Sequence, residues 1–141
     1  MKLNQVSLTQ LNTLNEGTLM EALQIEYTEI GPDYVKATMP VTHRTKQPMG
    51  LLHGGASAAL METVGSLGSA LLIDPQTHYA VGLDISVNHV GGAKEGMVEA
   101  TAKIIHAGRK THLWNIEVRD AETSRLIAHG KHTVMVIPKE D

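Results

Sequence analysis

The chain has 141 residues, a formal net charge of −3 and no cysteine. Such a length reads as one domain, residues 1–141, with room for a sizeable core. The charge, with no basic cluster longer than Arg109-Lys110, excludes a nucleic-acid footprint, and the lack of cysteine excludes disulfides, thiolate metal sites and a cysteine nucleophile.

The N-terminal residues hold no apolar signal core, so a cytoplasmic protein with no membrane partner is expected. Ser7-Leu8-Thr9-Gln10 has the form of a capping box and predicts a short helix to about Asn15, stopped by Gly17. Residues 20–29 and 34–40 read as two strands around the Gly31-Pro32-Asp33 turn, with Val35, Ala37 and Met39 alternating against Lys36 and Thr38. Residues 41–52 form a loop carrying His43, Arg44, Lys46 and Gln47. The run from Ala56 to Ile73 is helical in composition and apolar nearly all round, which predicts a helix buried in the core and ended by Asp74-Pro75. Glu62, three serines and two internal glycines argue against a membrane span there.

Four strands are expected in the C-terminal half. Tyr79, Val81, Leu83, Ile85 and Val87 alternate with small or polar residues, and Gly91-Gly92 breaks that strand. Residues 98–106 form the next, turning at Ala107-Gly108-Arg109. Trp114, Ile116 and Val118 mark one face of another, turned by Ala121-Glu122-Thr123, and residues 126–137 form the last before Pro138. Two strands before a long helix and four after it give an α+β class: a six-stranded antiparallel sheet wrapped around one central helix.

A lone carboxylate in a buried helix costs free energy unless it is paired or shifted in pKa, so Glu62 is the first functional candidate. Helical geometry puts Gly55, Glu62, Ser66 and Ser69 on one narrow stripe. Backbone amides at the helix start lack intrahelical partners, and Gly54 and Gly55 let a ligand atom approach them closely. The stripe thus offers an oxyanion donor at its head and a carboxylate about 10–11 Å further on. A substrate lying along the helix, or a second copy of the chain, would have to bring the two together.

Gln47-Pro48-Met49-Gly50-Leu51-Leu52-His53-Gly54-Gly55, with Glu62 nine residues after His53 and Ser66 one turn later, resembles the hotdog-fold thioesterases. Within these it looks like the branch of the 1,4-dihydroxy-2-naphthoyl-CoA thioesterases of menaquinone biosynthesis and the enterobactin proofreading thioesterases, with Arg44-Thr45-Lys46-Gln47 and Asn88-His89-Val90 extending the likeness. The resemblance implies that Glu62 is the catalytic carboxylate, as nucleophile or as general base. It implies that Gly55 and Gln47 polarise the thioester carbonyl, that His53 orients the thioester or assists the leaving thiolate, and that Ser66 helps hold the substrate. It implies no metal and no cofactor, and a homotetramer, a dimer of dimers, in which Glu62 and Ser66 face the Gln47–His53–Gly55 group of another subunit.

The substrate expected is an acyl-CoA. Arg109, Lys110 and Thr111 follow a glycine turn and either hold the coenzyme A phosphates or form a solvated hairpin tip. Met49 is a candidate lining residue of the acyl pocket, and His89 a candidate substrate contact or a structural histidine. Lys94 reads as a solvated charge, Asp84 as a polar-face residue, and Gly65 and Gly68 as sites of close backbone approach. His129 and His132, three apart on a strand, face opposite ways and do not make a metal site. Two other functions stay open at this point: hydrolysis of aryl or acyl groups on an acyl carrier protein, and non-catalytic acyl-CoA binding. The intact Glu62 argues against the second, since a pure binder gains nothing from that carboxylate.

Overall fold

A computed structural model describes residues 1–140. Two short helices, α1 (Leu8–Thr13) and α2 (Leu19–Ala22), precede strands β1 (Glu26–Ile30) and β2 (Tyr34–Pro40). The long helix α3 (Gly54–Ala70) follows, then β3 (His78–His89), β4 (Met97–Ala107), β5 (Thr111–Asp120) and β6 (Leu126–Pro138). The strands form one antiparallel sheet in the order β1-β2-β4-β5-β6-β3. This is the expected six-stranded sheet and single long helix.

Ser7 caps α1 as its sequence predicts, its side chain accepting from the Gln10 amide. Asn12 ties that helix to the sheet: its Oδ1 accepts from the Tyr27 amide at 2.8 Å and its Nδ2 donates to the Tyr27 carbonyl at 3.0 Å. The strand expected over residues 20–29 starts only at Glu26. Leu19-Met20-Glu21-Ala22 are strong helix formers with no β-branched residue among them, and Gln24 then turns through a positive φ of 56°.

Alternation on β2, β4, β5 and β6 turns Val35, Ala37, Met39, Val98, Ala100, Ala102, Trp114, Ile116, Val118, Val134 and Val136 inward, all buried. Helix α3 lies across this face and buries Ser57, Leu60, Met61, Val64, Gly65, Gly68 and Ser69 against it. The approach is close because of the glycines. A Cβ at Gly68 would stand 2.4 Å from the Trp114 ring, and one at Gly65 would stand 2.9 Å from the His132 ring.

The helix is not buried all round. Ala58, Ala59, Thr63, Ser66 and Leu67 are half-buried, and Glu62 and Ala70 are exposed. Among the described residues no second layer covers that side, and the apolar run keeps it small with alanines. The burial argument for Glu62 therefore fails within one protomer, although its place on the uncovered stripe holds.

Strand β3 departs from a single alternation. Gly82 pairs with Val134 and Asp84 with Thr133, so Leu83 is an extra residue in a bulge. The bulge reverses the faces: Tyr79, Val81 and Leu83 are exposed, whereas Ile85 and Val87 pack against the core. Among the described residues no helix is long and apolar enough to cross a membrane.

Candidate active site

The loop before α3 is a tight hairpin. The Gln47 amide donates to the Leu51 carbonyl at 2.8 Å, Gly50 donates back to the Gln47 carbonyl at 2.9 Å, and Gly50 takes a φ of 79°. His53 donates to the Thr45 carbonyl at 2.8 Å, and buried Thr45 anchors the base through a 2.8 Å bond from its Oγ1 to the Pro40 carbonyl. This framework aims three functional groups. Gln47 Oε1 accepts from the Met49 amide, which leaves the Gln47 NH2 group to donate outward. His53 is the N-cap of α3, and its Nδ1 accepts from the Gly55 amide at 2.7 Å. With Nδ1 the acceptor, the neutral ring carries its hydrogen on Nε2, at an exposed position.

That bond corrects the expectation for Gly55. The amide is not unpartnered at the helix start; the His53 side chain occupies it.

His89 ends β3 on the inner face, beside Gly54: a Cβ at Gly54 would meet His89 Nε2 at 2.9 Å. Gln47, Gly54 and His89 line one cavity of about 440 Å³ with Leu51, Ser57 and Val90. Glu62 and Ser66 line another, of about 480 Å³, with Tyr27, Ala59, Leu67 and Ala80. One chain thus does not bring the carboxylate and the donors together. They open on different cavities, separated along α3.

Glu62 has no hydrogen bond or ion pair among the described residues. Its Oε1 leans over Gly82, where a Cβ would come within 2.6 Å. Burial pushes the Tyr27 phenol up to about 12, so it stays a hydrogen-bond donor at any physiological pH. Arg109, Lys110 and Thr111 line a third cavity of about 500 Å³ with His78, Met135 and Pro138, away from Glu62. Met49 stands at the tip of its loop, 79% exposed, and lines neither of the first two cavities within its own chain.

Two residues of the serine stripe differ in role. Ser69 is fully buried; it accepts from Trp114 Nε1 at 2.8 Å and lies 3.0 Å from His112 Nδ1. It stitches the helix to β5. Ser66 faces the Glu62 cavity, with its Oγ 3.0 Å from His132 Nε2. Sequence reasoning missed His132 and Tyr27. The signal for His132 was present: it falls in register with Val134 and Val136 on the inner face of β6, where a polar side chain needs a partner. His129 points the other way, to Asn115 Oδ1 at 2.8 Å.

The Thioesterase superfamily matches residues 49–127. The chain belongs to this superfamily. The 1,4-dihydroxy-2-naphthoyl-CoA hydrolase of Escherichia coli K12 is 41% identical over 133 residues, covering 94% of this chain and 96% of the relative. The proofreading thioesterase EntH of Cronobacter turicensis is 44% identical over 120 residues, covering 85% of this chain and 87% of the relative. A mutant thioesterase from Pseudomonas aeruginosa superposes with a TM-score of 0.95 at 36% identity, over 99% of this chain and all of that one. The protein is a hotdog-fold thioester hydrolase. Charge builds on the carbonyl oxygen as the carbon is attacked, and preorganised donors stabilise it by several kcal/mol.

The thioesterase's buried His112 yields a pH prediction. Burial, and then the charge of His106, hold its imidazole below the ordinary value of 6.5, partly offset by a bond to the Gly108 backbone. The folded pKa is depressed, so the stability it contributes is present above the unfolded pKa of about 6.5 and is lost as pH falls through the folded one. The ring resonances of His112 should therefore titrate below pH 6.5, with the urea midpoint falling over the same window; a midpoint at or above 6.5 contradicts this.

Proposed function

We propose that the thioesterase hydrolyses an aromatic acyl-CoA of the 1,4-dihydroxy-2-naphthoyl type to the free acid and coenzyme A, in menaquinone biosynthesis in the cytoplasm. Glu62 is the carboxylate that attacks the thioester or activates water, and Ser66 is its neighbour on the substrate side. Gln47, His53 and Gly55, supplied by a second copy of the chain, hold the carbonyl oxygen. The observation that carries this reading is the placement of Glu62 and Ser66 at an apolar cavity on the uncovered side of α3, in a chain 41% identical to the naphthoyl-CoA hydrolase. Leu67, Ala59, Ala80 and Met20 give that cavity walls suited to fused rings, and the un-ionised Tyr27 offers a donor to a ring hydroxyl.

Oligomer formation is part of this reading. It is supported by the separate cavities, and by the outer strand β3, which presents twelve residues of edge with Tyr79, Val81 and Leu83 exposed. Long apolar edges tend to pair with another strand. A dimer of dimers is the assembly proposed, with His89 beside the donor group and the exposed Met49 reaching the acyl pocket of a neighbouring copy. Arg109, Lys110 and Thr111 take the coenzyme A phosphates. A second reading, release of aryl groups from an acyl carrier protein, is favoured by the 44% identity to EntH.

Glu62→Gln keeps the volume and removes the basic oxygen. Thiol release should fall by about 10²–10⁴-fold in kcat, with acyl-CoA affinity largely kept; wild-type turnover in the folded variant removes Glu62 from the reaction. Subunit mixing tests the shared site. Gln47→Ala and Glu62→Gln proteins, each impaired alone, should regain roughly a quarter of wild-type activity after unfolding and refolding together, because half the dimers are mixed and each mixed dimer holds one intact site. No gain over the sum of the parents would place each site within one chain. Arg109→Ala should raise KM for aryl-CoA more than it lowers kcat. Equal kinetics for wild type and Arg109→Ala on aryl-CoA, with faster turnover of the aryl group on a carrier protein, would favour the second reading.

A further inference from the structure

We propose that His132 is a positioning residue for hydrolysis, fixing the Ser66 hydroxyl as a hydrogen-bond acceptor toward the Glu62 cavity. The inference rests on the place given above to Glu62 and Ser66 in the reaction. It begins with a polar ring at an inner position of the sheet. His132 is fully buried, and its Nδ1 lies 3.0 Å from the Asp84 carbonyl. A carbonyl oxygen can only accept, so Nδ1 carries the hydrogen, and the Nε2 of the neutral ring is left as an acceptor. Ser66 Oγ, 3.0 Å from Nε2, must then be the donor.

The slot for this ring is built. Gly65 on α3 leaves the space where a Cβ would stand 2.9 Å from Cδ2, and Gly82 on β3 leaves the space where one would stand 3.1 Å from Cε1. The same missing Cβ at Gly82 admits the Glu62 carboxylate. The β3 bulge between Gly82 and Asp84 adjoins the carbonyl that receives Nδ1–H. Bulge, two glycines and histidine converge beside Glu62 and Ser66, one helical turn apart and lining one cavity.

The consequence is directional. A serine or threonine within a helix often donates back to the carbonyl four residues earlier. Thr63 on this same helix does so, to the Ala59 carbonyl at 2.7 Å. Ser66 instead gives its hydrogen to His132, and its lone pairs stay available to the cavity. A water between Ser66 and Glu62 then gives one hydrogen to Ser66 Oγ as a hydrogen bond and loses the other to the carboxylate as it attacks. The water oxygen bonds to the carbonyl carbon and keeps the first hydrogen as the acid's hydroxyl. The carbon–sulfur bond breaks, and the leaving thiolate takes the proton from Glu62. Without His132, the Ser66 hydroxyl is free to donate to the Glu62 carboxylate or to its backbone carbonyl, and no longer accepts from the water.

The test compares His132→Gln, which keeps an acceptor within reach of Ser66, with His132→Leu, which keeps volume without one. His132→Leu should lower kcat about tenfold, the scale of one neutral hydrogen bond, with KM changed by less than about threefold. His132→Gln should recover most of that loss. In a Ser66→Ala background, His132→Leu should have no further effect on kcat. A His132→Leu loss that persists undiminished in that background, or wild-type kcat in the folded His132→Leu protein, overturns the proposal. A second measurement needs no turnover and no His132 variant. Long-range proton–nitrogen spectra should show His132 with hydrogen on Nδ1 and bare Nε2, and Ser66→Ala should shift Nε2. The opposite tautomer, or an Nε2 indifferent to Ser66→Ala, also overturns it. Full turnover in Glu62→Gln would instead sink the reading of Glu62 and leave these spectra to decide the role of His132 toward Ser66.

Discussion

The close seating of α3 on the concave face of the sheet is the contact from which the rest follows. Gly65 and Gly68 bring the helix backbone down onto His132 and Trp114, with no space for even one added carbon. Large groups on the sheet fill the room that the helix yields, and interiors tolerate little deviation from such a fit. The helix buries one side fully and leaves its other side open. That side carries alanines, Thr63, Ser66 and the single carboxylate Glu62. The helix thus leaves a face of small residues open beside the outer strand β3, with Glu62 on a different cavity from Gln47.

At the head of the same helix the first amides are already partnered. The His53–Gly55 bond satisfies an amide that would otherwise be unpartnered, which stabilises the helix start. It also withholds that amide from a ligand. An amide already bonded in this way gives an added acceptor less net free energy than a free donor would. Gln47 is arranged differently: its oxygen is tied to the loop backbone, and its NH2 group has no hydrogen bond among the described residues. The two donors therefore differ in readiness, though they lie in one short hairpin.

Much of this was legible in the sequence. The capped first helix, the Gly31-Pro32-Asp33 turn, the long helix, the three C-terminal hairpin strands and the loop carrying Gln47 and His53 all follow from local signals: a cap, turn residues, or a period of two or about 3.6. The segment after Gly17 did not, because Leu19–Ala22 and Glu26–Ile30 are too short for either period to decide. The β3 bulge was invisible too. An extra residue at Leu83 leaves the apolar alternation of Tyr79 to Val87 intact on paper while reversing its faces in the sheet.

The sequence by itself determined the fold class, the family, the motif residues and the stripe on which Glu62 and Ser66 sit, because each depends on neighbours close along the chain. Only the tertiary structure decided which side of α3 is covered, that Ser69 serves the core through Trp114 and His112, and that Ser66 turns to His132. Those outcomes depend on residues some forty-three to sixty-six positions apart. Hydrogen bonds over such separations are set by strand register, and register is a property of the assembled sheet.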